Sequence, residues 1–143
     1  TYCAFLKDWF ERHNIEVIRT GLQSTEELDS GTSLVAGPYE PAMGELVVNE
    51  QYKQRIECCI NEHIESFIDK ELSQWNIWGQ ANTFIALNIS VFYTRSLTSK
   101  VRGLKNRNML YFQEKYPYIN INWYEDSTRN TVRCCIDGLQ YVL

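Results

Sequence analysis

Glu62, His63, Glu65 and Asp69 place four titratable side chains within eight residues, at spacings of three and four that a helix brings onto neighbouring positions. A carboxylate and an imidazole so placed could exchange a proton with a substrate as a general acid and base. The same spacing, with Lys70 alongside, is also that of a solvated helix face, and no nucleophile elbow, phosphate loop or metal motif accompanies it. The chain is therefore expected not to be an enzyme and to hold no cofactor. Five cysteines stand as Cys3, the doublet Cys58-Cys59 and the doublet Cys134-Cys135. Adjacent doublets suit neither a zinc knuckle, which separates its ligands by two to four residues, nor an easy intrachain bridge. All five are expected to be reduced and metal-free, as small core residues.

A length of 143 residues is that of one domain, 1–143, with room for a sizeable core. The net charge of −4 argues against a dominant nucleic-acid surface, since phosphate binding needs clustered cations. The densest cationic stretch, Lys100-Val-Arg102-Gly-Leu-Lys105-Asn-Arg107, reads as the solvated end of a helix. No signal peptide opens the chain, and no apolar run approaches the roughly 20 residues of a membrane helix. It begins without methionine and stops at Leu143 in an apolar run, as an excised segment would after loss of an anchor or tail.

These side chains need elements to hold them. Residues 2 to 14 have the pattern of an amphipathic helix, with Cys3, Leu6 and Phe10 on one stripe. Residues 24 to 45 carry Gly37-Pro38 and Pro41 and are expected to be a flexible loop. A second helix runs from about Leu46 through Tyr52, Ile56, Ile60 and Ile64 to Leu72. After the turn Trp75-Asn-Ile-Trp-Gly79, residues 84 to 93 are apolar apart from Asn88 and Ser90, which predicts a central buried helix over 81 to 93. The same segment alternates at Ile85, Leu87, Ile89 and Val91, a period-two pattern. Thr94 to Tyr116 predicts a further helix, and Tyr118 to Tyr124 and Thr131 to Ile136 carry strand signals. Two fold classes stay open: all-α, or α+β with two or three C-terminal strands.

Glu71-Leu72, then Asn76-Ile-Trp78-Gly79-Gln80 leading into the apolar segment, resembles the first homology motif of the Bcl-2 family of apoptosis regulators. Asn122-Trp-Tyr-Glu-Asp-Ser-Thr128 resembles its second. Gln80 stands where the family has arginine, Pro117 interrupts an expected long helix, and the second motif lacks its glycine pair. The resemblance selects the all-α alternative, a helical bundle about a buried central helix.

It implies binding rather than catalysis: a pro-survival regulator that takes the amphipathic death-motif helix of a pro-apoptotic partner into an apolar groove. Asn76, Gly79 and Gln80 would form the rim, Phe84 and Leu87 the floor, and Tyr52, Ile56, Ile60 and Ile64 the facing wall. The poor match of Leu46 to Tyr52 to a death motif, with Glu50 and Gln51 at its key positions, favours pro-survival over killing. Location would be cytoplasmic or at the mitochondrial outer membrane, with membrane contact only through a tail absent from this chain, and a homodimer is allowed. The second expectation is an α+β interaction or scaffolding module that self-associates or binds a peptide through a strand edge.

Overall fold

Alternation between apolar and polar residues governs the centre of the molecule, and it makes a sheet there rather than a bundle. The computed structural model describes residues 2–37, 39–74 and 87–143, with backbone alone at 67 and 70–74. Helix α1 (Tyr2–Arg12), a short α2 (Glu26–Asp29) and the 32-residue α3 (Met43–Gln74) are followed by strand β1 (Asn88–Tyr93). Next come α4 (Thr98–Arg102) and α5 (Arg107–Lys115), each preceded by a 3₁₀ turn, then β2 (Asn120–Glu125), β3 (Arg133–Ile136) and β4 (Leu139–Val142). The sheet order is β2-β1-β3-β4, with β1 and β2 parallel and the other neighbours antiparallel.

The all-α, Bcl-2-like bundle is overturned, and the α+β alternative fits. Residues 88–93, expected to close a buried central helix, are an inner strand. Ile89, Val91 and Tyr93 are fully buried while Asn88 is exposed and Ser90 and Phe92 lie between, so only every second side chain enters the core. β-branched and aromatic residues at that period fit a pleated surface better than a helix. Leu87 is described and buried, while residues 81–86 of the expected segment, with its Trp75-to-Gly79 turn, lie outside the described residues. The continuous helix expected over Thr94 to Tyr116 is instead broken at Gly103, whose φ of 78° and ψ of 158° leave helical space. Lys105 and Asn106 follow in the left-handed region, so the chain turns sharply before α5 begins.

Helix α3 starts at Met43, so the loop expected over 24–45 also contains α2, capped by the Thr25 hydroxyl accepting from Leu28 N–H. One face of α3 buries Ile56, Cys59 and Ile60 against Ile89, Val91, Cys134 and Ile136 of the sheet, with Val101 of α4 and Phe112 of α5 completing the core. Full burial of each large aliphatic side chain stabilises the fold by about 1.5–3 kcal/mol. The β3–β4 hairpin turns through Asp137 (φ 47°) and Gly138 (φ 85°), the two positive φ values that a tight two-residue hairpin turn requires.

Two buried asparagines join α3 to the α4–α5 turn. Asn108 donates from Nδ2 to the Asn49 carbonyl at 2.9 Å and to the Val101 carbonyl at 3.0 Å. The Asn49 amide, oriented with its oxygen accepting from Leu104 N–H at 3.0 Å, points its nitrogen at the carbonyls of Glu45, Ser99 and Lys100. Alanine at 108 leaves two buried carbonyls short of a donor. Chemical denaturation of Asn108→Ala is expected to show a loss of about 2 kcal/mol with an unchanged m-value.

Candidate functional site: an open strand edge beside helix α5

Strand β2 lies at one edge of the sheet among the described residues, and its ladder to β1 shows which of its backbone groups turn away from β1. Asn120 N–H donates to Leu87 and Asp126 N–H to Tyr93, at 3.0 and 2.8 Å. A parallel ladder alternates residue by residue, so the even-numbered residues of β2 face β1. The N–H and C=O groups of Ile121, Trp123 and Glu125 therefore point outward, away from the sheet. Their register partners Ile89, Val91 and Tyr93 are core residues, and Ile121 and Trp123 accordingly turn their side chains toward α5.

Between this edge and α5 lies a cavity of about 340 Å³. Met109, Phe112, Gln113 and Tyr116 form its helix wall, at spacings of three, four and seven, and Ile121 and Trp123 form its strand wall. Pro117 follows the end of α5 and turns the chain toward Ile119 at the mouth. The Trp123 and Phe112 rings lie 6.1 Å apart in a tilted contact, and Phe112 and Tyr116 stack at 6.2 Å. An edge with outward backbone groups beside a recess of mixed polarity with aromatic walls is the arrangement that receives an extended peptide: the backbone pairs and alternate side chains fill the recess.

Glu57 fixes the position of α5. Its carboxylate accepts from Tyr111 Oη at 2.9 Å, from Tyr116 Oη at 3.3 Å and from Lys115, tying α3 to the second half of α5 and to the Tyr116 end of the recess wall. Partial burial opposes its ionisation, but the hydrogen bonds from Lys115 and Tyr111 outweigh that, and the Glu57 pKa lies below its ordinary value. A depressed carboxylate pKa gives stability that is present above the unfolded value and lost as pH falls through the folded one. Glu57→Gln is expected to lower the melting temperature by a few degrees at pH 7, with the gap from wild type closing below roughly pH 4. Thermal unfolding followed by circular dichroism across that range measures it.

The acid-base cluster on α3 resolves differently from its spacing. His63 faces the hairpin, with Nε2 3.3 Å from Asp137 Oδ2 and Nδ1 3.5 Å from Tyr141 Oη, while Glu62 and Glu65 are exposed. Cys59 and Cys134 belong to the core nearby, and burial pushes their thiols up to about 11 and about 12, which leaves little thiolate for nucleophilic attack at neutral pH. All five cysteines are free thiols. Among the described residues, no three His, Cys, Asp or Glu side chains converge as a metal site, and no helix is long and apolar enough to cross a membrane.

Of the residues expected to line a helix-binding groove, Ile56 and Ile60 are fully buried beneath the sheet and Leu87 nearly so, as core rather than wall and floor. Tyr52 and Ile64 are partly buried against the same core. Asn76, Gly79, Gln80 and Phe84 lie outside the described residues. The poor death-motif match at Leu46 to Tyr52 is largely inward-facing, with Val47, Asn49 and Gln51 buried and Gln51 donating to Glu11 at 3.0 Å.

Sequence patterns did not single out Met109 or Gln113, whereas the alternation over Tyr118 to Tyr124 already included Ile119, Ile121 and Trp123. Compared with protein-family models, with curated proteins and with solved structures, the chain matches none.

Proposed function

We propose that the chain is a protein–protein interaction module that adds an extended peptide of a partner to the outer edge of β2. The groove expected for a death-motif helix needs a central helix that β1 replaces, so that binding mode loses its floor. One observation carries the peptide reading: the outward N–H and C=O groups of Ile121, Trp123 and Glu125 border a recess with aromatic walls. Backbone pairing supplies affinity for any extended strand, and the recess selects a large apolar or aromatic side chain at one alternate position.

A displayed library of unstructured peptides tests this. Enriched sequences are expected to be extended, with an apolar or aromatic anchor and with neighbours two residues away on the same face. Two variants separate edge from recess. Glu125→Pro removes an outward N–H and leaves the inward ladder intact, and Gln113→Trp fills the recess from an exposed position on α5. Each is expected to weaken selected peptides by tenfold or more, about 1.4 kcal/mol, without a matching fall in melting temperature. A library without binders, or binders indifferent to both variants, removes the proposal. If sedimentation shows a dimer that Glu125→Pro dissociates, the edge serves a second copy of the chain instead.

A further inference from the structure

Helix α1 turns its polar side inward. Ala4 is fully buried, Asp8 Oδ1 lies 2.9 Å from Arg55 Nη2 of α3, and Gln51 of α3 donates to Glu11 at 3.0 Å. Spacings of four and seven put Ala4, Asp8 and Glu11 on one side of the helix, the side that meets α3. The other side carries Tyr2, Phe5, Leu6 and Trp9 at i, i+3, i+4 and i+7, and these are 88%, 62%, 49% and 44% exposed. The apolar stripe that ordinarily faces a core thus faces outward, with Cys3 exposed and Phe10 half-buried at its border. Trp9 is held in place, its ring stacked on His13 at 4.1 Å between centroids and meeting Phe10 edge-on at 5.4 Å. Four side chains of this size expose roughly 500 Å² along one stripe, the size at which an apolar patch marks an interaction site.

Charge constrains what covers the stripe. The helix carries two cations and two carboxylates, and each is neutralised within the molecule: Lys7 pairs with Glu11, Arg12 with Asp8, and Arg55 reaches both carboxylates. A helix that seats on anionic lipid presents uncompensated lysines and arginines beside its apolar face, and a charged peptide needs an opposite charge to meet. This face offers neither, and it fits a surface that is itself apolar, aromatic and neutral. The stripe is such a surface. Positions 2, 5, 6 and 9 are symmetric about the point between Phe5 and Leu6. An antiparallel second copy of α1, related by a two-fold axis at that point, sets Phe5 against Leu6 of the second copy and Tyr2 against Trp9 of the second copy, so one patch serves both sides.

We infer that two copies of the chain associate through α1, stripe against stripe about this axis. The contact buries roughly 1,000 Å² over both copies, the lower limit for a specific interface, so the dimer is weak and forms with rising concentration. It shares no residue with the β2 edge or its recess and is independent of the peptide site.

Sedimentation of the whole chain from about 1 to 500 µM, the range of weak interfaces, tests it. The average mass should rise from that of one chain toward that of two. Phe5→Glu and Leu6→Lys, both at exposed positions, should each weaken association by at least tenfold, because a charge then loses its water against an apolar side chain. An equimolar mixture of the two variants should associate at least fivefold more tightly than either alone, since the antiparallel register brings the new glutamate to the new lysine and leaves one Phe5–Leu6 contact intact. Glu125→Pro should leave the dimer unchanged. Heteronuclear spectra of each variant establish that the fold persists. A chain that stays monomeric at the highest concentration overturns the inference, as does a dimer unmoved by Phe5→Glu and Leu6→Lys, a dimer that Glu125→Pro dissociates, or a mixture no tighter than its components. A monomer that instead floats with phosphatidylcholine vesicles gives the stripe to a bilayer and overturns it too.

Discussion

Ile89→Asp will unfold the protein, whereas Asn88→Asp one residue away will leave it standing. Ile89 is fully buried between α3 and the sheet, and its neighbour points to the opposite, solvated face. A carboxylate held in that core would stand in a cluster that, among the described residues, is lined by apolar side chains and holds no cation, and it must either ionise in a medium of low polarity or fold as the acid. Either course costs several kcal/mol, comparable with the roughly 5–15 kcal/mol by which ordinary domains are stable. At the exposed position the same substitution should cost no more than about 0.5 kcal/mol. Urea unfolding at neutral pH measures both. Similar losses at 88 and 89 would show that the segment does not alternate, and would restore a helix as its conformation.

Gly103→Val should be the most damaging change outside the core. The backbone there has φ 78° and ψ 158°, a region open essentially to glycine alone. A Cβ would also stand 3.0 Å from the Asn108 backbone nitrogen and from two atoms of its side chain. Strain and displacement of Asn108 together should cost about 4 kcal/mol, or a fall in melting temperature of roughly 10 °C or more. Gly138→Ala is the control. Its φ is 85° but nothing lies within 4 Å of the added Cβ, so only the left-handed penalty of about 1 kcal/mol applies. Equal losses at the two glycines would mean that the contact with Asn108 contributes nothing.

Local pattern was legible where one face of an element decides its conformation. The periodicity over Tyr52, Ile56, Ile60 and Ile64 located α3, and the alternation of Tyr118 to Tyr124 located β2. It was ambiguous over Ile85 to Tyr93, because an inner strand covered on one face, with Phe92 and Ser90 half-buried on the other, is nearly as apolar as a buried helix. The resemblance to a helical family then tipped the choice the wrong way. Asp137-Gly138 between apolar residues was a hairpin signal open to recognition, and it is what separates β3 from β4. The candidate site was not legible in advance. An outward backbone edge depends on strand order, and the recess depends on α5 lying beside β2, neither of which is written in any one segment.

The order of the strands also has a consequence during synthesis. β1 is one of two inner strands, yet both of its partners are encoded after it, β2 at 120–125 and β3 at 133–136. A ribosome adding about 5–20 residues per second needs roughly 2–10 s to pass from β1 to the end of β3. Throughout that interval Asn88-Ile-Ser-Val-Phe-Tyr93, an uncharged six-residue stretch rich in strand-forming side chains, has two unsatisfied edges. Such a stretch can pair with its counterpart on a neighbouring nascent chain. Yield of the native protein should therefore depend on chaperone occupancy and translation speed more than its final stability would indicate, and the cations that follow β1 at Arg95 and Lys100 are the first residues to oppose that pairing by charge repulsion.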